Sequence, residues 1–265
     1  MVSPLILLSN DDGIEAPGIV ALSSALQGLG ELWVVAPATE QSAQSHAFTM
    51  HEPLRILERE GPVSGRSFAV TGTPADAVYL ACHHLLPRRP ALVVSGINRG
   101  ANLSTDVFYS RTVAAAREGT SMNIPALAVS LFLRSAGPLS GPPQWETAGR
   151  VARQLAAQIL ENGLPSGTLA NVNVPNVPLE ALKGLVVCPM GRRYYHPHVT
   201  VSMDPRGKKY YWIGGDHERF SDAPETDGPQ CEAGFATLTP LQMDMTAWSF
   251  LDQARSIFTF DKTGA

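Results

Sequence analysis

Leu5-Ile6-Leu7-Leu8 runs straight into Ser9-Asn10-Asp11-Asp12-Gly13, which places two consecutive carboxylates where a buried strand leaves its sheet. An apolar run with no polar alternation reads as a strand covered on both faces, as in a parallel sheet, and the polar residues and glycine mark the loop that follows. In open α/β sheets ligands bind at such carboxyl ends. Adjacent carboxylates there repel each other and lose hydration, which is costly without a cation or a change of protonation. Ligands that are all oxygen favour a hard ion such as Mg²⁺ or Mn²⁺. Asp is also common at turns and helix N-caps, so the pair needs support from elsewhere in the chain.

A second strand-like run, Ala91-Leu92-Val93-Val94, repeats the design and ends in Ser95-Gly96-Ile97-Asn98-Arg99-Gly100-Ala101-Asn102-Leu103. Glycines let backbone N–H groups approach an anion, and amides offer neutral oxygens to a cation. A third run, Leu32-Trp33-Val34-Val35, ends at Ala36-Pro37 and opens into a polar loop with Glu40, Gln41, Ser42, Gln44, Ser45 and His46. Between these strands, Gly18–Leu29 carries apolar residues at helical spacing, and Thr73-Pro74-Ala75-Asp76 reads as an N-cap, a proline at the first helical position and an acidic first turn. Tyr109–Gly119 begins with hydroxyls and continues as an alanine-rich helix, whose N-terminus reads equally as a phosphate seat or as a helix simply capped by Ser110. The alternation predicts an α/β fold with a doubly wound, mainly parallel sheet.

Further along, Ser135–Pro143 reads as a loop, Gln144–Leu160 as an amphipathic helix, and Thr168–Pro175 and Leu185–Cys188 as strands. From Met190 to Gly234 the chain is rich in aromatics, charge and glycine. Arg192-Arg193-Tyr194-Tyr195 and Lys208-Lys209-Tyr210-Tyr211-Trp212 flank an Asp204-Pro205-Arg206-Gly207 turn and predict a protruding two-stranded hairpin of interface-type residues. Residues 1–189 are thus expected to form the α/β catalytic core. Residues 190–265 are expected to form a projecting hairpin and C-terminal oligomerisation segment of the same domain.

The 265 residues carry 20 basic and 24 acidic side chains, and no basic tail or stripe accompanies them. That argues against binding a nucleic-acid polymer, which requires neutralising many phosphates, but not against small phosphate esters. Cys82, Cys188 and Cys231 are odd in number and far apart, which suggests neither a disulfide framework nor a zinc knuckle. The N-terminal apolar run is too short for a membrane span or signal peptide, so a cytoplasmic protein is expected. His196 and His198 share a strand face but are separated by Pro197 and lack nearby carboxylates, and the consecutive His83 and His84 point apart on a helix; neither pair reads as a chelate.

Taken together, LLSNDDG, the AP…SA loop around Ser42, TGTPADAVYLA from Thr71, SGINRGANLSTDVFYS from Ser95 and TVAAAREG from Thr112 resemble the SurE (survival protein E) family of metal-dependent 5′/3′-nucleotidases and acid phosphatases. The resemblance is close up to residue 130 and follows the family only in general layout beyond it. It implies a Rossmann-like, SurE-type fold and one divalent cation per subunit, Mg²⁺, Mn²⁺ or Co²⁺. The implied metal ligands are Asp11, Asp12, Ser42 and Asn98, with Asn10 and Asn102 as supporting polar groups. It also implies exchange of C-terminal segments between subunits to give a homodimer or homotetramer.

The expected chemistry is hydrolysis of a nucleoside 5′- or 3′-monophosphate, or of short polyphosphate. Asp11, Asp12 and Asn98 would lie at the reacting centre, a cation would polarise the phosphoryl oxygen and activate water, and Asn10, Asn102, Ser110, Thr112 and the Gly100 N–H would hold the phosphate. Arg111 stands where the family pattern places glycine. It reads as a phosphate-binding guanidinium, as a residue strained at positive φ, or as a surface arginine facing solvent. A non-catalytic nucleotide-binding regulator would use the same site. A zinc deacetylase also pairs Asp after its first strand, but with histidine beside the pair, where this chain has Ser9-Asn10.

Overall fold

The computed structural model describes residues 3–40, 46–196, 198–214, 217–220 and 223–260. In chain order the elements are β1 (Leu5–Ser9), α1 (Pro17–Leu26), β2 (Glu31–Pro37), β3 (Ile56–Glu58), β4 (Ser67–Val70), α2 (Pro74–Leu80), β5 (Leu92–Arg99), α3 (Arg111–Ser121), β6 (Ala126–Phe132), α4 (Trp145–Asn162) and β7 (Thr168–Pro175). They continue with β8 (Leu185–Val187), β9 (Arg193–Tyr195), β10 (His198–Met203), β11 (Lys209–Gly214), β12 (His217–Phe220), α5 (Asp227–Glu232), β13 (Ala236–Gln242) and α6 (Trp248–Ile257).

Nine strands form one sheet in the order β3-β4-β2-β1-β5-β6-β7-β13-β8. The run from β4 to β7 is parallel throughout. The edges are mixed: β3 joins β4 and β13 joins β7 antiparallel, while β8 runs parallel to β13. From β1 the sheet grows outward through β2 and β4, then restarts on the other side of β1 with β5, β6 and β7. The loops after β1 and β5 therefore diverge and leave a crevice between them, the topological switch point of a doubly wound sheet.

Every residue of β1 is buried because both faces are covered. Ile6 and Leu8 pack with Ile19 and Leu22 of α1 and Ala152 and Leu155 of α4. Leu7 points the other way, into a cluster with Ala77 and Val78 of α2 and Val113 and Ala116 of α3. Each fully buried leucine contributes roughly 1.5–3 kcal/mol. The helices start where the local chemistry favours it. Thr73 and Asp76 form a reciprocal capping box ahead of α2, and Ser110 accepts the Val113 N–H ahead of α3. At α1 the cap side chain is missing, and Pro17 supplies a φ already suited to the first turn.

The hairpin differs from the sequence expectation. Across the Asp204–Gly207 turn β11 pairs with β10, from Met203 opposite Lys209 to His198 opposite Gly214. The Arg193–Tyr195 segment pairs instead with β12, at the base of the arm. Four short strands lie in this stretch, and the tight turn pairs the two that flank it, leaving β9 to β12. The segment after residue 190 is not all projection either, since β13 returns to the main sheet beside β7. Among the described residues no helix is long and apolar enough to cross a membrane.

α1 approaches β5 so closely that a Cβ on Gly18 would lie 1.9 Å from the Ile97 carbonyl oxygen. Gly18→Ala should therefore displace α1 or the end of β5. A loss of about 1–3 kcal/mol is expected, read as a lower urea midpoint at unchanged slope; an unaltered midpoint would show that the two backbones separate without strain.

Candidate functional site

The ends of β1 and β5 open into a cleft of about 820 Å³ lined by Asp11, Asp12, Glu40, Asn98, Arg99, Asn102, Ser110 and Arg111, among others. Asn10 shapes the first loop: its Nδ2 donates to the Gly13 carbonyl at 2.8 Å, closing a turn around the carboxylate pair. Asp11 Oδ1 accepts from the Thr112 hydroxyl at 2.7 Å, so the carboxylate sits at the N-terminus of α3, where the helix dipole favours negative charge. Asp12 Oδ2 lies 3.4 Å from the Arg99 backbone N–H. Asn98 donates its Nδ2 to the Gly100 carbonyl at 2.9 Å, so its amide oxygen is the atom that could face a cation.

Burial pushes the Asp11 carboxyl up to about 6, and the Asp12 charge adds to the rise, while the Thr112 hydroxyl and the Arg111 charge oppose it. Asp12 is also raised, by burial first and by the Glu40 charge, against the Arg99 N–H. Asn10 Oδ1 is buried with no hydrogen-bond partner among the described residues. An orphaned oxygen beside two desolvated carboxylates is a donor set that suits a hard divalent cation. Ser42 lies outside the described residues. Of the described residues that flank it, Glu40 lines the cleft and His46 bonds through Nε2 to Glu118 of α3 at 2.9 Å.

Several expected phosphate contacts are engaged elsewhere. The Gly100 N–H donates to the Leu131 carbonyl at 3.0 Å, because Gly100 prolongs the β5–β6 pairing. The Thr112 hydroxyl is spent on Asp11, and the Ser110 hydroxyl caps Val113. Asn102 is tied into the sheet: Nδ2 donates to Ser130 Oγ at 2.7 Å, and its carbonyl accepts from both Asn171 and Asn173. Of this group Asn102, Ser110 and Arg111 line the cleft, and Asn10, Gly100 and Thr112 do not. Arg111 is 1% exposed, which removes the reading of a solvent-facing residue. The strained reading falls too, since among the described non-glycine residues only Ser104 and Asn123 have positive φ.

Sequence reasoning missed the far wall. Arg193 and Tyr195 of β9 reach the cleft, where both bond Asp106 Oδ2, at 2.5 and 2.6 Å. They are separated from Asp106 by 87 and 89 residues, and no local spacing signals such a contact. The loop bearing Asp106 is fixed from below by Asp227. This fully buried carboxylate accepts from Ser104 N and Oγ at 2.6 and 2.8 Å, from Gly191 N at 3.0 Å and from Gly228 N at 2.8 Å. It holds Ser104 at a φ of 56° and ties the cleft loop to the start of the hairpin.

A family model described as survival protein SurE matches residues 6–197. The chain belongs to the SurE family. It is similar to the 5′-nucleotidase SurE of Symbiobacterium thermophilum, with 48% identity over 254 residues, 95% of this chain and 97% of the relative. The 5′-nucleotidase SurE of Geobacter sulfurreducens is 46% identical over 251 residues, 95% of this chain and 92% of the relative. A SurE crystal structure from Aquifex aeolicus superposes with a TM-score of 0.82 at 36% identity, covering 96% of this chain and 99% of that one. The SurE resemblance read from five short motifs thus extends over nearly the whole chain, and the mainly parallel α/β architecture is shared with the solved relative.

Replacing Asp227 with alanine would strand several buried donors at once, each worth about 1–3 kcal/mol. The variant should lose at least about 2 kcal/mol of stability in chemical denaturation; stability within experimental error of the parent would mean that water replaces the carboxylate without cost.

Proposed function

We propose that this SurE-family chain is a phosphomonoester hydrolase acting on nucleoside 5′- and 3′-monophosphates, and on short polyphosphate, with one divalent cation, Mg²⁺, Mn²⁺ or Co²⁺, per subunit. The observation that carries the reading is the Asp11–Asp12 pair, desolvated at the switch-point cleft that also holds Arg99, Arg111 and Arg193. The names of the relatives, 5′-nucleotidase SurE, support the substrate class.

Asp11, Asp12, Asn98 and Ser42 would hold the cation, which supplies Lewis-acid polarisation of a phosphoryl oxygen and charge neutralisation when bound. The chain's own groups do the rest. Thr112 fixes the rotamer of Asp11, the Arg99 N–H fixes Asp12, and Arg111, buried at the start of α3 in the cleft wall, would offer its guanidinium to the phosphate. A metal-dependent deacetylase is disfavoured: among the described residues no three His, Cys, Asp or Glu side chains group as a metal site, as histidine-based ligation would require. A binding protein without turnover is separated by assay. Metal-stripped protein supplied with Mn²⁺, Mg²⁺ or Co²⁺ should release phosphate from 5′- and 3′-nucleotides; absence of release under all three would overturn the hydrolase reading.

Asp11→Asn and Asp12→Asn should keep the fold yet lower kcat/KM by more than the roughly 10- to 100-fold typical of groups that only orient ligands. Activity equal to the parent at matched metal would rule out the cradle. The pH dependence follows from the raised Asp11. Its contribution to folding in metal-free protein is fully present below the ordinary value of 3.8 and is lost as pH rises through about 6. A bound cation reverses that loss, so the rise in Tm on adding Mg²⁺ or Mn²⁺ should be larger at pH 7 than at pH 5. An equal rise at both would remove Asp11 from the ligand set.

Assembly into dimers or tetramers through the arm and the C-terminal segment belongs to the same proposal. It is supported by Trp212, Ile213, Trp248 and Phe260, which expose 67, 90, 67 and 86% of their surface. Replacing residues 198–214 by a short glycine turn keeps the β9–β12 base and should lower the mass seen by light scattering. An unchanged mass would assign assembly to other surfaces. A cytoplasmic location is proposed with it, supported by the three unpaired cysteines.

A further inference from the structure

The cleft has an aromatic wall that the phosphate chemistry does not use. Tyr195 lines it at 44% exposure, and Tyr109 also lines the cleft. The Tyr195 ring is fixed from two directions: its hydroxyl donates to Asp106 Oδ2, and the Arg193 guanidinium carbon lies 5.0 Å from the ring centre. Arg193 is itself bonded to Asp106 and packs 5.5 Å from the ring of Phe220, which meets Phe132 edge-on at 6.2 Å. Phe132 is part of the core at 2% exposure. Tyr195 is therefore the outermost member of a column that begins inside the protein.

A tyrosine anchored in this way has already lost its rotamer freedom, so stacking a ligand on it costs little further entropy. A phosphate alone fills little of an 820 Å³ cleft, and the remaining space has the size of a small-molecule site. Burial and the Asp106 bond hold the Tyr195 hydroxyl protonated and directed at Asp106, which disqualifies it as proton donor to a leaving group. What the residue offers is a fixed π-face, and every nucleobase has a complementary one.

We propose that Tyr195, backed by Arg193, is the platform on which the base of a bound nucleotide stacks, a step that rests on the hydrolase reading for the phosphate and on the column for the base. The test compares AMP with ribose 5-phosphate, which lacks the base, and measures adenosine binding at equilibrium, which involves no hydrolysis. Tyr195→Ala should lower the ratio of kcat/KM for AMP over ribose 5-phosphate by roughly five- to a hundredfold and weaken adenosine binding by a similar factor, the range for losing one base–aromatic stack. Tyr195→Phe keeps the ring and should hold both within about twofold of the parent. An unchanged ratio in Tyr195→Ala, equal losses in the alanine and phenylalanine variants, or parent protein that binds adenosine no better than ribose would each overturn the platform. If the parent releases no phosphate from either ester, the hydrolase reading fails while adenosine binding still decides the role of Tyr195.

Discussion

Two negative charges on consecutive residues, taken partly out of water at the end of a strand that is buried on both faces, set the conditions for everything around them. Holding Asp11 ionised at neutral pH against a value of about 6 costs about 3 kcal/mol relative to a solvated aspartate. Burial of Leu5, Ile6, Leu7 and Leu8 contributes roughly 1.5–3 kcal/mol for each side chain. The hydrophobic term wins by a wide margin, which is why the pair can be carried on the central strand and would be hard to carry on a short edge strand such as β3. The N-terminus of α3 belongs to the same balance. It looked like a seat for phosphate, but in the protein its Thr112 hydroxyl and its dipole are turned on Asp11.

The surrounding loops are held by polar nodes, each serving two segments. Asp76 completes the capping box of α2 and also accepts from Thr49 N and Oγ1 at 3.1 and 2.7 Å, so the segment around Thr49 is pinned to the start of a helix. Asn102 joins β5's exit to β6 and β7, and Asp227 joins the Ser104 turn to the hairpin entry at Gly191. Each node is buried, where an unpaired donor or acceptor is expensive, so partial opening of any one loop exposes several polar groups at once. That cooperativity keeps irregular segments in place without secondary structure of their own.

The legible part of the chain was the part governed by neighbours in sequence. Thr168–Pro175 is a strand as read, Thr73 and Ser110 are the caps they looked like, and β1 ends at Ser9 just before the polar run; β5, by contrast, runs on to Arg99 past the Ser95-Gly96 where it was expected to end, because Asn98 and Arg99 rejoin β6 after an irregularity. The ladders that escaped notice are short or depend on distant partners. β3 has three residues, none of them buried, and β4 places Ser67 in a core position, where its hydroxyl closes a turn with Val63. At the site, residue identities were readable but their commitments were not: that Gly100 would spend its N–H on Leu131, or that Arg111 would be buried, follows from packing between elements rather than from spacing along one. The Arg193–Asp106 pair is the extreme case, since nothing in either segment names the other.

The charge lining the cleft favours a cation at its carboxylate end. Asp11, Asp12, Glu40 and Asp106 contribute four carboxylates, and Arg99, Arg111 and Arg193 three guanidiniums. Arg193 is neutralised by Asp106 at 2.5 Å, which leaves two arginines to answer three acids before any substrate arrives. A phosphate dianion entering that field would be repelled, the more so because a low-dielectric wall strengthens every uncompensated charge. One divalent cation held there would change the sign of the balance, at the residues whose own carboxyls burial has already raised. The protein's overall charge of −4 is no obstacle to an anionic substrate on these terms, because the field that matters is set within the cleft.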